Sequence, residues 1–504
     1  MMRIYDWMMR NEKIILTLSI VIIAILHIIF LFKPVSRDAG AFLTIASGIL
    51  KGNLPYVNYF DHKPPGVYYL LASFLALKNS IYAAKLGTML FNMATAVVLF
   101  FIGKKLWNKE VGILSAIFYL TGLLVYEGYY VLTEPFLAFF SSLAILCFVE
   151  HYHTKKYPYL FLSGVMIGIS MLFKQTGILT LFGIFFFYLL EITKSKRIVL
   201  HIKDGAMLSM GFLLPIVLAS FYFYSVNALN DLIYCVFSVN LHSYGTNSIV
   251  AFLYYNYNDL FYFPLIWILS ISGGVIVVVQ HFKTYIYNYN KNQNKEIFIS
   301  IMLIFSAIPI VIRQYPHYYI QILPFASLLA SYTIFKLKEP MKSILESDRL
   351  KIVAIFVILA LIAPTLVQIS IGAYSVKSYN LNDEIEIADY IKSHTKPDEE
   401  IFVIAAQPEY YFLSNREPMN RNIYLLPINL NNTYTEESII QNLKDEDIRY
   451  VLVREHGSSL DERIEGIYVY IQENYAIQKE FSRKSIRTGE DEPIIKVYKK
   501  KEVL

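Results

Sequence analysis

Apolar residues run in stretches of bilayer length between residues 14 and 371, and polar residues collect in the short connections between them. A helix rises about 1.5 Å per residue, so roughly 20 apolar residues cross the hydrocarbon core. The pattern predicts spans at Ile14–Phe32, Ile81–Gly103, Val111–Val125, Val131–Val149, Tyr159–Phe173, Ile178–Ile192, Ala206–Val226, Leu260–Gln280, Ile297–Ile312, Tyr319–Phe335 and Ile352–Ile371. That is about eleven transmembrane helices. The third and fifth are short and fit a tilted or partly interfacial position. No small-residue cleavage site follows the first, which reads as a retained signal anchor.

From about Ser375 the pattern changes. Asp, Glu, Asn and Arg become frequent and no span-length run remains. Asp383–Ser393 has the alternation of an amphipathic helix. Ile401–Ala406, Arg449–Val453 and Ile494–Val497 are predicted strands, with a helix at Glu436–Leu443. The expected organisation is a transmembrane domain over 1–374 and a small α/β domain over 375–504, long enough to enclose its own core. Neither an internal repeat nor a low-complexity segment interrupts it.

Composition agrees with the apolar pattern. Of 504 residues, 56% are hydrophobic and 17% charged, where soluble domains carry roughly 25% charged residues. Mean hydropathy is +0.44. The net charge of +5 is small, but the placement of cations orients the chain. Basic residues fall in alternate connections: Arg3, Arg10 and Lys13; Lys104, Lys105 and Lys109; Lys155 and Lys156; Lys194, Lys196, Arg197 and Lys203; Lys283, Lys291 and Lys295; and Lys336 through Lys351. These are expected to face the cytoplasm. The N-terminus is then cytoplasmic, and the loop after the first span, the Asn227–Asp259 loop and the C-terminal domain are extracytoplasmic. Cys147 and Cys235 imply no disulfide framework.

The candidate chemistry concentrates on the outer side. Val35–Leu77 holds Asp38 just past the membrane exit, then Asp61-His62-Lys63 followed by Pro64 and Pro65. Beyond the prolines, Val67, Leu70, Leu71 and Phe74 recur at helical spacing with Tyr68 and Tyr69 between them, which predicts an interfacial helix with aromatic rings at headgroup depth. Lys63 suits a phosphate. Asp61 and His62 are candidate contacts for a divalent metal or for phosphate, or members of a solvated turn stiffened by the prolines. Glu134 begins a span in VLTEPFLAFF, where a helix N-terminus also favours an acid. Lys174 lies at the outer end of a span, as do Arg313 and His317; a snorkelling lysine and an aromatic belt with one arginine would explain them too. Lys85, at the start of the second span, fits snorkelling. Asp38, Lys63, Glu134, Lys174 and Arg313 nevertheless come from five connections that all point outward. Such a ring of acids, cations and a histidine suits an anionic headgroup and a proton transfer. Asp445-Glu446-Asp447 has the form of a metal–nucleotide-sugar triplet but reads as a solvated acidic turn. No P-loop, dinucleotide fingerprint or HExxH motif occurs.

Asp38, then Gly52 and Tyr56, then Asp61 to Pro65, followed by Thr133-Glu134-Pro135 and the Arg313–Pro324 run, together resemble the polytopic lipid-linked-sugar glycosyltransferases of the GT-C type. These include protein O-mannosyltransferases, aminoarabinose transferases and the RgtA/B/C/D-like bacterial enzymes. The resemblance covers roughly residues 10–370. It implies interfacial helices in the first outer loop and a polyprenyl-phosphate sugar donor. It also implies Asp38 as catalytic base, Glu134 as second active-site acid, and Lys63 on the carrier phosphate, with Arg313 and His317 near it and Lys174 beside them. Asp61 or His62 falls where relatives place a metal or phosphate contact; no other cofactor is implied. Ala39 stands where protein mannosyltransferases carry a second acid, and Ala41 where aminoarabinose transferases carry an arginine, so the acceptor stays open among glycan, lipid and protein.

The chemistry expected of this set is direct displacement with inversion, because it offers one base and no second nucleophile. Expected partners are the lipid-linked donor, the acceptor and the bilayer, with no nucleic acid. A transporter or flippase of lipid-linked sugars would place polar groups near span midpoints in related halves. A non-catalytic membrane anchor would leave the outer ring unexplained.

Overall fold

The computed structural model describes residues 12–195, 198–242, 259–287, 294–313, 315–344, 347–377, 379–404, 407–423, 435–446, 448–454, 464–484 and 491–501. A helix coincides with every stretch read as a span: Glu12–Phe30, Ile81–Leu106, Lys109–Val125, Thr133–Thr154, Tyr157–Phe173, Ile178–Ser195, Ile198–Ser225, Pro264–Tyr287, Asn294–Ile312, Tyr319–Ile344 and Asp348–Ser375. Among the described residues, 7 helices are long and apolar enough to cross a membrane. Val353, Phe356 and Leu359 on Asp348–Ser375 are 56%, 70% and 58% exposed, which suits a lipid-facing surface and not a water-facing one.

Contacts divide the chain into two compact units. The first comprises Met1–Leu31, Leu86–Ala219 and Thr246–Ala373. Its helices share one apolar core, which includes Leu123, Ile145, Phe148, Phe298 and Leu323. A Cβ added to Gly103 would lie 2.7 Å from the Gly112 Cα, so a glycine there lets successive helices touch backbone to backbone. Some polar groups inside pair with backbone and some with side chains. His27 Nε2 lies 3.1 Å from the Leu120 carbonyl, and Trp267 Nε1 donates to the Tyr126 hydroxyl at 2.7 Å.

The second unit joins Phe32–Lys85 and Ser220–Gly245 to Tyr374–Leu504. Its sheet has the order β1-β2-β4-β3, with β1 Phe402–Ile404, β2 Tyr450–Val453, β3 Tyr475–Lys484 and β4 Asp491–Lys500. β1 and β2 are parallel, and the two remaining pairings are antiparallel. Every residue of β1 and β2 is buried, as expected of parallel strands covered on both faces. Helices occur at Leu381–His394 and Glu436–Asp445, where the sequence predicts them. Strand β3 carries four charged residues in ten, and neither it nor the helix Glu465–Asn474 shows a clean period, so both give little signal. Asp447 and Ala405–Ala406 fall outside the described residues.

Two features of this unit differ from expectation. Tyr68, on Gly66–Leu77, is fully buried; its ring packs edge-on to Tyr56 at 6.0 Å and Phe42 at 5.9 Å. It fills protein core among aromatic rings. Lys85 does not snorkel. It is 2% exposed and donates to the Lys33 carbonyl, because Phe32–Lys85 folds back as part of one unit.

Candidate functional site

Asp38 sits in the first turn of the helix Arg37–Leu50. Ser36 caps that helix, its hydroxyl accepting from the Ala39 N–H at 3.3 Å. An acid in the first turn is favoured by the helix dipole. Arg37 Nε lies 3.5 Å from Asp38 Oδ1, and the Asp38 side chain keeps 27% of its surface, so the carboxylate is accessible. The helix is held at several points. Thr44 Oγ1 donates to the Pro408 carbonyl at 3.1 Å. A Cβ on Gly40 would lie 2.5 Å from the Glu409 nitrogen. Val35 N–H, just ahead of the cap, donates to Glu384 Oε2 at 2.7 Å.

Asp61, His62 and Lys63 form a linear array in the same unit. Asp61 Oδ1 accepts from the His62 N–H at 2.6 Å and lies 3.3 Å from His62 Nδ1. Lys63 Nζ lies 3.2 Å from His62 Nε2. The imidazole thus lies between the Asp61 carboxylate and the Lys63 ammonium. The loop is fixed by its backbone: the Lys63 carbonyl accepts from Tyr56 Oη at 2.8 Å, and the His62 carbonyl from Asn240 Nδ2 at 2.9 Å. Tyr56 has φ +69°, a left-handed turn of the kind this tight loop needs. All three side chains are buried, and Lys63 retains 9% exposure. A solvated turn does not describe them.

The first unit gathers Glu134, Lys174 and His317. Glu134, in the first turn of Thr133–Thr154, pairs with Lys174, the residue that ends Tyr157–Phe173. Thr133 Oγ1 donates to the other carboxylate oxygen at 3.1 Å. Lys174 also lies 3.2 Å from the centre of the Tyr318 ring, a cation–π contact. His317 Nε2 is 4.0 Å from Glu134, and its Nδ1 is 3.2 Å from Glu127. Lys174 is 4% exposed, so it is a buried ion-pair partner and not a snorkelling cation. Arg313 stands at the end of Asn294–Ile312, its N–H donating to the Pro309 carbonyl at 2.9 Å. Glu127 gave no sequence signal; it sits at φ +63° in the turn before Thr133–Thr154, and only folding brings it to His317.

Deeper in that unit, Ser141 Oγ lies 2.8 Å from Ser170 Oγ and accepts from Thr180 Oγ1 at 3.2 Å. Thr176 Oγ1 donates to Gln321 Oε1 at 2.7 Å. Ser141, Thr180, Ser306 and Gln321 line a small cavity. Among the described residues, no three His, Cys, Asp or Glu side chains gather as a metal site, and Asp61 and His62 face each other. Asp445 accepts from Gln441 at 2.7 Å at the end of its helix.

These features are those of a multi-pass helical membrane protein with buried ionic groups on its loops and helix ends. The profile of the family described as dolichyl-phosphate-mannose-protein mannosyltransferase matches residues 62–223, a stretch that includes His62, Lys63, Glu134 and Lys174. An undecaprenyl phosphate-alpha-4-amino-4-deoxy-L-arabinose arabinosyl transferase from Wigglesworthia glossinidia brevipalpis is 27% identical over 186 residues, 33% of each chain. The matched region thus spans about a third of that curated relative. ArnT from Cupriavidus metallidurans, in a crystal structure bound to undecaprenyl phosphate, superposes with TM-score 0.63 at 12% identity, covering 97% of this chain and 98% of that one. The archaeal oligosaccharyltransferase AglB from Archaeoglobus fulgidus, in complex with an inhibitory peptide and a dolichol-phosphate, gives TM-score 0.58 at 11% identity over 96% and 74% of the two chains. The fold is the one shared by these proteins, and the resemblance to GT-C lipid-linked-sugar glycosyltransferases holds in sequence and in fold.

Proposed function

We propose that this chain is a membrane glycosyltransferase that moves a sugar from a polyprenyl-phosphate donor to a cell-envelope glycan, lipid or protein acceptor on the extracytoplasmic face. The observation that carries the reading is the buried Asp61–His62–Lys63 array, within the segment where the family profile begins. It places the buried Lys63 ammonium 3.2 Å from His62 Nε2, on the loop beside Pro64 and Pro65. A lysine in such a loop suits an anionic group such as a lipid phosphate. A relative named for an undecaprenyl phosphate-linked sugar, and structures of similar fold holding undecaprenyl phosphate or a dolichol-phosphate, support that choice of donor.

In this reading the acceptor hydroxyl oxygen attacks the anomeric carbon, the bond from that carbon to the phosphate oxygen breaks, and the polyprenyl phosphate leaves with the electron pair. Asp38 takes the hydroxyl proton. Lys63 offsets the charge that grows on the leaving phosphate, with Arg313 and His317 as further phosphate contacts. Glu134, fixed by Lys174, is the second active-site acid. One displacement inverts the anomeric configuration. The soluble segment 375–504 covers the site or helps hold the acceptor, and the transmembrane domain is 1–374 with about eleven crossings. If a divalent metal takes part, Asp61 and His62 are its candidate ligands.

A flippase for lipid-linked sugars has one observation in its favour, the hydroxyl-lined cavity around Ser141 and Gln321. Ser141 lies eight residues into its helix, about 12 Å from the end. Purified protein supplied with a polyprenyl-phosphate sugar and acceptor extract decides between the two. Release of polyprenyl phosphate with a glycosylated product is expected. Movement of intact donor between leaflets without release would overturn the transferase reading.

A further inference from the structure

Two arginines of the C-terminal segment, five residues apart, are treated differently by the fold. Arg416 is saturated. Its Nε donates to Thr395 Oγ1 at 2.7 Å, Nη1 to the Ser414 and Asn415 carbonyls at 3.3 and 3.1 Å, and Nη2 to the Lys392 and Thr395 carbonyls at 3.0 and 2.7 Å. It is a structural arginine.

Arg421 is not saturated. Its carbonyl accepts from the Phe60 N–H at 2.7 Å, which fastens this residue to the loop carrying Asp61, His62 and Lys63. Its guanidinium carbon lies 5.7 Å from the centre of the Phe60 ring. Among the described residues, Nη2 reaches the Cys235 sulfur, at 4.0 Å. Nε is buried and has no hydrogen-bond partner among the described residues. A guanidinium has five N–H donors; Arg421 is half-buried, and its buried Nε without an acceptor is costly unless a ligand supplies one. Asp61 and Asp231 are the acids whose charge, with that of Arg421, acts on the Cys235 thiol. Asp61 Oδ1 is engaged by His62. Phe60 and Lys63 are three residues apart, so the anchor points of the two cations are separated by at most about 10 Å of extended chain, less than two long basic side chains can bridge onto one anion.

We propose that Arg421 is a second phosphate-binding residue for the lipid-linked donor, acting beside Lys63 from the C-terminal segment. This rests on the reading of the chain as a polyprenyl-phosphate-dependent transferase. It gives the soluble segment a part in donor binding, with the Phe60 N–H to Arg421 carbonyl bond setting where the guanidinium stands.

The test is binding of undecaprenyl phosphate to the full-length protein in nanodiscs, with undecaprenol as the probe lacking phosphate. Arg421→Ala is expected to weaken undecaprenyl phosphate binding about tenfold or more, the effect of losing a charge-assisted contact. Arg421→Lys should recover part of it and Arg421→Gln should not, while undecaprenol binding stays the same in all. Lys63→Ala combined with Arg421→Ala should cost less than the product of the single effects, because both act on one phosphate. Should Arg421→Ala lower the melting temperature into the assay range, the Lys and Gln variants decide alone. Wild-type affinity in a folded Arg421→Gln protein, or an equal loss of undecaprenol, would overturn the assignment. Failure of the wild-type protein to bind undecaprenyl phosphate would instead overturn the donor reading on which it rests.

Discussion

Asp38 and Lys63 are assigned opposite tasks, and their substitutions separate them. Asp38→Asn keeps size and much of the hydrogen bonding but removes proton acceptance. Turnover should fall about 10²–10⁴-fold while donor binding survives. Lys63→Ala removes a contact made in both ground and transition states, so donor binding and turnover should weaken together. Paired binding and turnover assays check this; loss of donor binding in Asp38→Asn with Lys63→Ala unaffected would make Asp38 a structural or ligand-holding group. At Glu134 and Lys174 the expected effect is on stability as well. Both side chains are nearly fully buried. Lys174→Met leaves an uncompensated carboxylate and should cost about 3–5 kcal/mol. Adding Glu134→Gln should restore much of that stability without restoring activity, as thermal melts and turnover together would report. Single residues of the array were legible in the sequence because Asp, His and Lys crowd one loop. Their mutual order was not, since contacts at 3.2 and 3.3 Å are set by the fold.

The helix Arg37–Leu50 is the element on which the proposed base rides, and two residues of the C-terminal segment bear on it. Gly40→Ala would push a methyl group against the Glu409 backbone, which cannot rotate aside. A loss of about 1–3 kcal/mol is expected for such overpacking, with turnover falling as the helix shifts. Glu384 receives the Val35 N–H, and burial pushes its carboxyl up to about 8, against the opposing pull of that N–H and of Lys85. A raised pKa favours the protonated folded form. The stabilisation is therefore complete below the ordinary value of 4.5 and is lost as pH rises toward 8. The melting temperature should fall across that window. Glu384→Gln, whose amide oxygen still accepts from Val35, should flatten the slope. Glu409 is also held above its ordinary range, mainly by burial, so part of the slope should remain. An unchanged pH profile in Glu384→Gln would refute the assignment. Sequence periodicity found neither this helix nor its partner Glu409–Ser414, because after Asp38 the first is a near-continuous run of apolar and small residues and the second is only six residues long.

For the whole molecule, the orientation inferred from alternating basic connections predicts which surfaces an impermeant reagent reaches. In a protein whose two cysteines are replaced, Ser393→Cys should label from outside intact cells and Lys155→Cys only after permeabilisation. The reverse would place the proposed chemistry on the cytoplasmic side. The sequence by itself determined the helical membrane class, the positions of the apolar helices, the polar C-terminal segment and the ionisable residues proposed for the site. Those follow from hydropathy and from charge in apolar surroundings, both local properties of the chain. Tertiary structure alone decided that Phe32–Lys85 and Ser220–Gly245 pack with Tyr374–Leu504 as one unit, that Lys174 and Lys85 are buried rather than snorkelling, and that Glu127 and Arg421 stand beside His317 and Phe60. Those pairings join residues up to several hundred positions apart, and no local pattern encodes them; they arise when burial forces each polar group to find a partner wherever the folded chain supplies one.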